Sequence, residues 1–395
     1  MYGTLEAASE FQDTFNYTLS ECIMMSQGMS SPCFFQNEEK DLKIVYHGDD
    51  IGAVSTGEVL REFHEDLRNY FDAEIKYLLG PEPTDDKEGR LLNRCLTWRD
   101  DGLLWEADPR HAELIIAELG LIHAKAAATP GLRLRHEDHD NAEPLSTEAT
   151  SAYRRTAARA GFLAMDRFEL LFPSKECLRG MSRPTTAHLR MLKRIGRFLI
   201  GKPRVGILYQ FQRKGSYVDS IGDTDYNQCP ISRKSTNGGV VMTGKHCLTA
   251  WSTTQQLPSL STGEAEWYGV NKTSAEGLGV KAGCHDLGDA YHLRVWSDSS
   301  AAIGIGNRLG LGKLKHVETQ YLWVQHARKQ NRLSLHKEEG KNNCADMMTK
   351  PLSWPELQKH MAKCGQVVLE GRPLLAPELI VNVEEMSRNS ALAQN

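Results

Sequence analysis

The alternation of apolar and polar positions changes period several times along this chain. Lys43-Ile44-Val45-Tyr46 and Ile51-Gly52-Ala53-Val54 are short apolar runs flanking His47-Gly48-Asp49-Asp50. Gly and Asp between two such runs predict a β-hairpin turn. Val59, Leu60, Phe63, Leu67 and Phe71 then recur at helical spacing. Residues 133–148 are polar and aperiodic, and are read as a linker or long loop. From Ala187 to Leu199 the chain predicts an amphipathic helix with Leu189, Leu192, Ile195 and Leu199 as its apolar stripe. After Leu208 the pattern becomes that of a compact α/β unit. Strand-like runs fall at Ser216–Asp223, Gly239–Thr243 and His246–Thr253, followed by a long helix over Gly263–Cys284. A strand at Leu293–Ser297, a helix from Ser300, a strand at Leu333–His336 and a helix beginning near Asn343 complete the unit. That order predicts a mixed sheet with helices on both faces. Beyond Gly365 the periodicity fades, and the tail ending in MSRNSALAQN is expected to be disordered.

Composition narrows the class without deciding it. At 395 residues and 40% hydrophobic content the chain has material for two or three cores. A net charge of −4 gives no global attraction to nucleic acid, so any basic binding surface must be local. The nine cysteines include no CxxC pair, which argues against a disulfide framework and against a zinc ribbon. The opening MYGTLEAASEFQDTF has the form of neither a signal nor a transit peptide, and no apolar run reaches membrane-spanning length. A soluble protein of a reducing compartment is the expectation.

Chemistry concentrates in carboxylates placed at the ends of the expected elements. Asp223 lies on or at the end of the first strand of the α/β unit, Glu266 in the opening turns of its long helix, Asp298 just after the fourth strand, and Asp346 near the start of the last helix. Acids so placed can converge on one side of a sheet. Held together they repel unless cations neutralise them, and oxygen-only ligands select hard ions such as Mg²⁺ or Mn²⁺. Two such ions roughly 4 Å apart can activate a water and stabilise the departing oxygen of a phosphodiester. Each acid also has a plainer reading. Asp298 before Ser299-Ser300-Ala301 suits a helix cap, and Asp223 and Asp225 suit a turn. Ser261-Thr262-Gly263-Glu264 matches a capping box, which leaves Glu266 as the better ligand. It is the joint order of the acids that carries weight. Arg190, Lys193, Arg194 and Arg197 on the amphipathic helix read equally as a solvated cationic face or as phosphate contacts. His136 and His139 with Asp138 and Asp140 read as a solvated loop in preference to a metal-binding cluster.

The stretch from about Tyr209 to Leu352 resembles the ribonuclease H domain of copia-type retrotransposons. Gly222-Asp223-Thr224-Asp225-Tyr226 with Arg233-Lys234-Ser235-Thr236-Asn237-Gly238 is similar to the family's S-D-A-D-W…R-K-S-T-S-G. Trp251-Ser252-Thr253-Thr254-Gln255-Gln256 resembles W-S-S-K-K-Q, and Ser261-Thr262-Gly263-Glu264-Ala265-Glu266-Trp267 resembles S-S-T-E-A-E-Y. Ser297-Asp298-Ser299-Ser300-Ala301-Ala302-Ile303 resembles C-D-N-Q-S-A-I, and Lys315-His316-Val317-Glu318 resembles K-H-I-D. Ala345-Asp346-Met347-Met348-Thr349-Lys350-Pro351-Leu352 resembles A-D-I-L-T-K-P-L. The resemblance implies a ribonuclease H-like mixed five-stranded sheet, with Asp223, Glu266, Asp298 and Asp346 as catalytic ligands of two Mg²⁺ ions, Mn²⁺ being an alternative. It implies an RNA–DNA hybrid as substrate, read by shape and 2′-hydroxyls. Arg233, Lys234, Ser235 and Thr236 would then touch its backbone or lie in a solvated loop, and His336 would stand where cellular ribonucleases H carry a product-release histidine.

Upstream, the resemblance continues into the rear half of a reverse transcriptase. Met1-Tyr2-Gly3-Thr4-Leu5-Glu6-Ala7 is similar to L-Y-G-L-K-Q-A, and His47-Gly48-Asp49-Asp50 stands where Y-V-D-D is expected, which makes Asp49 and Asp50 polymerase metal-site acids. Tyr153-Arg154-Arg155 and the run from His188 to Leu199 resemble the connecting region. The expected organisation is α/β, α+β overall: a partial palm and thumb at 1–132, a linker at 133–148, a connection at 149–207, a nuclease domain at 208–355, and a helix and tail at 356–395. The family's first catalytic aspartate belongs to a strand before Met1. Polymerisation would therefore need a front half supplied from elsewhere, and a remnant that binds nucleic acid without cutting it is the non-enzymatic alternative. Other Pol or Gag segments are the expected protein partners, and the cytoplasm, a virus-like particle or the nucleus the expected location, with no membrane.

Overall fold

The computed structural model describes residues 5–393; of the Met1–Ala7 block, the first four residues lie outside that range. Helix α1 (Leu5–Tyr17) precedes four strands, β1 (Ser26–Gln27), β2 (Phe34–Asn37), β3 (Leu42–His47) and β4 (Asp50–Val54), which form an antiparallel sheet in chain order. The expected hairpin is present: His47 pairs with Asp50, and Gly48 takes a φ of 62°, which the turn requires and glycine tolerates without strain. Helix α2 (Gly57–Arg68) begins two residues before the apolar pattern does, because Thr56 caps it by accepting from the Val59 amide. Phe71 lies past its end yet packs on the same core of Phe15, Phe35, Ile44, Phe63 and Leu67.

A meander of β5 (Glu88–Leu91), β6 (Arg94–Arg99) and β7 (Gly102–Glu106) follows. Then come the helices α3 (Arg110–Glu118), α4 (His136–Asp140), α5 (Thr147–Leu163), α6 (Leu171–Arg179) and α7 (Thr186–Gly201), gathered around Ile115, Leu119, Tyr153, Leu192, Ile195 and Phe198. The segment 133–148 is more than a linker, since it contains α4 and buries Leu134 and Leu145 in that same core. Two buried leucines in sixteen residues are too few to produce a period, which is why the sequence pattern hid them.

Strand β8 (Arg204–Gln210) pairs antiparallel with β7. The expected boundary at 207/208 therefore falls inside a strand that belongs to the upstream sheet. Beyond it come β9 (Tyr217–Asp225), β10 (Thr236–Thr243), β11 (His246–Thr254), α8 (Thr262–Asp286), β12 (His292–Ser297), α9 (Ser300–Asn307), α10 (Trp323–Lys329) and β13 (Leu333–Lys337). They build a five-stranded sheet in the order β11-β10-β9-β12-β13, with β9 to β11 antiparallel and β12 parallel to both β9 and β13. Along β9 and β12 the side chains alternate: Val218, Leu293 and Val295 pack under α8, α9 and α10, whereas Ile221 and Trp296 face the other way. On this second face lie a 3-10 turn (Cys344–Met348), where a helix was expected, and α11 (Trp354–Lys363). Helix α8 lies directly on the central strand, for a Cβ at Gly222 would strike Thr273, and one at Gly269 would strike Thr224.

The C-terminal segment corrects the expectation of disorder. Strand β14 (Gln366–Leu369) pairs with β8 and completes a sheet ordered β14-β8-β7-β6-β5. Helix α12 (Val383–Arg388) packs on α3, and Leu392 is fully buried in the helical core. A single anchor of that kind leaves no periodic trace.

Candidate metal centre

Three of the four acids converge, and each is aimed by its own element. Asp223 sits near the end of β9, the central strand, flanked by β10 on one side and β12 on the other. It is a strand residue and not a turn acid; the Thr349 hydroxyl donates to its Oδ2. Asp298 is the first residue after β12. The neighbouring Ser299 supplies the cap of α9, accepting from the Ala302 amide at 3.2 Å, which leaves the Asp298 carboxylate uncommitted to capping. Glu266 projects from the second turn of α8. Its neighbour Glu264 is engaged elsewhere, accepting from the Leu260 amide (3.1 Å), the Tyr268 hydroxyl (3.0 Å) and His316 (2.9 Å). The capping box is thus half formed: Ser261 Oγ accepts from the Glu264 amide, but the return bond goes to Leu260 and not to Ser261. One carboxylate oxygen from each of Asp223, Glu266 and Asp298 lies within 4.8 Å of the others, the one such cluster among the described residues.

The electrostatics show what this cluster lacks. Burial, then the Asp223 and Asp298 charges, push the Glu266 carboxyl up to about 9. Burial and Asp223 also raise Asp298. Three partly desolvated carboxylates with too little positive charge among them form a site that a hard cation fits, and the donor set of oxygens alone agrees. The residues present could hold such an ion.

Asp346 stands beside this cluster and outside it. Its Oδ1 is 2.8 Å from Lys350 Nζ, four residues on. Burial and Asp223 raise Asp346 to about 6 against the pull of that lysine. Burial opposes the charge on Lys350, but the Asp346 bond and the nearby Asp223 and Asp298 outweigh it and hold its pKa above the ordinary value. Lys350, and Lys337, whose Nζ donates to the Asp298 carbonyl oxygen, are the site's cations that acid spacing alone does not reveal. The i,i+4 step from Asp346 to Lys350 was the available signal. Asp225, the last residue of β9, is lifted to about 7 by burial and accepts from the Gln228 amide.

The remaining expected residues lie apart from this cluster. Asp49 is exposed at the hairpin turn, and Asp50 is 3.4 Å from Lys76, with no third acid joining them among the described residues. On α7 the cations act as staples to the preceding segment. Arg190 bonds Asp138 (3.2 Å), Arg194 the Thr129 carbonyl (2.7 Å) and Arg197 the Lys125 carbonyl (2.7 Å), while Lys193 is half-buried. Arg233 is exposed and Lys234 half-buried, but Ser235 and Thr236 are buried. Ser235 Oγ accepts from the Asn227 amide and Thr236 Oγ1 from Lys175, so neither side chain reaches the surface to meet a backbone. His336 lies on β13 with its ring 4.8 Å from that of Trp296 and Nε2 bonded to Ser334 (2.8 Å).

A mixed α/β chain with three carboxylates, from a strand, a helix and a strand end, convergent at one end of a sheet is the class that fold and site define. No family model matches the sequence. Curated relatives do. The retrovirus-related Pol polyprotein from transposon RE1 of Arabidopsis thaliana is 25% identical over 92% of this chain and 24% of its own length. Transposon RE2 of the same plant gives 28% over 64% of the chain and 17% of the relative. Transposon TNT 1-94 of Nicotiana tabacum gives 23% over 89% of the chain and 26% of the relative. The chain is homologous to retrovirus-related Pol polyproteins of transposons, the copia type included, and corresponds to a segment spanning 17–26% of the length of these relatives. Among the described residues, no helix is long and apolar enough to cross a membrane.

Proposed function

We propose that the unit from about residue 208 to 355 is a ribonuclease H-type nuclease that hydrolyses the RNA strand of an RNA–DNA hybrid. The observation that carries this reading is the convergence of Asp223, Glu266 and Asp298, from three separate elements, to within 4.8 Å at one end of a mixed five-stranded sheet. Asp223, Glu266 and Asp298 would hold a divalent ion, Mg²⁺ or Mn²⁺. When bound, such an ion supplies Lewis acidity toward the phosphodiester and lowers the pKa of an attacking water. The protein's own part is positional. Thr349 orients Asp223, the Ser299 cap leaves Asp298 free to point at the cluster, and the close seating of α8 on β9 brings Glu266 to the two aspartates. Asp346 would join the ligand set, and so complete a two-ion site, by releasing Lys350. The compartment follows from this reading alone: the cytoplasm, a virus-like particle or the nucleus.

The test is cleavage of an end-labelled RNA–DNA hybrid by the full chain in Mg²⁺, in Mn²⁺ and in EDTA. Cutting confined to the RNA strand, abolished by EDTA, is expected. Asp298→Asn should reduce it by at least the 10–100-fold typical of residues that merely support a metal ligand. A folded chain that binds the hybrid but cuts it in neither metal would instead be a nucleic-acid-binding remnant.

A further inference from the structure

A cavity of about 550 Å³ lies on the second face of the same sheet, in the cleft between it and the β14-β8 edge of the neighbouring sheet. Its size is that of a small-molecule site. Ile221, Met242 and Val367 give it apolar walls, and Trp296 an aromatic one. The indole N–H is already committed, donating to Asp219 at 2.7 Å, so a ligand meets the ring and not its donor.

The charges at the cavity do not cancel. Asp219 is paired with Arg294 at 2.7 Å, and Glu338 with Lys363 at 3.1 Å. Lys245 is exposed at the mouth, with no partner for its ammonium among the described residues, and the Gln210 side-chain amide on the wall is likewise unpartnered. An aromatic surface, a free amide and one uncompensated cation together fit a planar heterocycle that bears a phosphate. Aromatic platforms beside a cation are how proteins hold unpaired bases without regard to sequence.

We infer that this cavity takes one unpaired nucleotide of a nucleic-acid strand, its base against Trp296 and its phosphate toward Lys245. That the nucleotide comes from the strand being processed rests on the nuclease reading, and the placement suits it. Ile221 precedes Asp223 by two residues on β9, about 7 Å at strand rise, and Trp296 precedes Asp298 by two residues at the end of β12. A strand leaving the acidic end of the sheet would reach the cavity with its next unpaired residue.

The experiment is calorimetric titration of the full chain with AMP, adenosine and inorganic phosphate. The variants are Lys245→Glu and Ala362→Trp; Ala362 is an exposed residue of α11 at the cavity wall, so a larger side chain there can fill the cleft without disturbing a core. Saturable AMP binding is expected, with adenosine and phosphate each at least about tenfold weaker. Both variants should lose at least about tenfold in AMP affinity at an unchanged thermal midpoint. Absent AMP binding, phosphate binding as tightly as AMP, or AMP affinity unaltered in Ala362→Trp would each overturn the proposal. Hybrid cleavage on the same preparations separates the two readings. Cutting without AMP binding removes the cavity site alone, and AMP binding without cutting removes the nuclease alone.

Discussion

Three carboxylates from three elements cannot all stay ionised within a few ångströms unless a counter-charge joins them. Glu266 carries most of that conflict. Its folded pKa of about 9 lies far above its ordinary 4.5, so in the metal-free protein the folded state keeps a proton that the unfolded state has released. The penalty that Glu266 puts on the folded state should then be absent below about pH 4.5, grow as pH rises toward 9, and level off above it. Glu266→Gln keeps the shape and removes the titration. In EDTA it is expected to flatten the fall of the thermal midpoint between pH 5 and 9 and to melt several degrees higher than wild type at the alkaline end. Calorimetry at several pH values checks this, and a variant that follows the wild-type slope would show that Glu266 is not the strained group. The same variant should lose the stabilisation that Mn²⁺ gives the wild type, because a ligand that favours the folded state raises its midpoint only where it can bind. The acids were legible because family order and element ends marked them. The Ser299 cap was not, since it depends on which way a side chain turns once the backbone is set, and the Lys350 pair left only its i,i+4 step as a signal.

At the scale of elements, periodic segments were readable and pairing partners were not. The stripes of α2 and α7 are local signals, and Ser261 announced α8 four residues before Ala265. The far end of α8 serves a purpose that no local pattern shows. Asp286 accepts from the backbone amides of Met29 (3.1 Å), Ser30 (2.7 Å) and Ser31 (3.1 Å), while Asp289 holds Lys43 at 3.4 Å. The helix that presents Glu266 at one end thus clasps the N-terminal sheet at the other. Asp286→Asn removes the charge that makes those amide bonds strong. Amide exchange at residues 29–31 should speed up about tenfold or more, while β9 and β10 keep their protection. Unchanged exchange at 29–31 would mean that the loop is held by its own turn and not by the helix.

At the scale of the molecule, the N-terminal sheet presents Asp49 and Asp50 on a well-formed hairpin, yet no further acid gathers there among the described residues. Template, primer and dNTPs added to this chain should therefore give no extension beyond background. Product longer than the primer would show that two aspartates suffice or that a third arrives on binding. The sheet β14-β8-β7-β6-β5 draws on segments that start at Glu88 and end at Leu369. Within it β8 has one neighbour about 100 residues before it in the chain and another about 160 after, separations that local sequence cannot encode and that slow folding. During synthesis the upstream meander must wait with an open edge for β8, and β8 in turn for almost the last of the chain. No cut near residue 207 could consequently yield two self-sufficient halves: separating them would split a shared sheet and expose Val205 and Ile207, which are buried together with Met347, Met361 and Cys364 from the downstream segment.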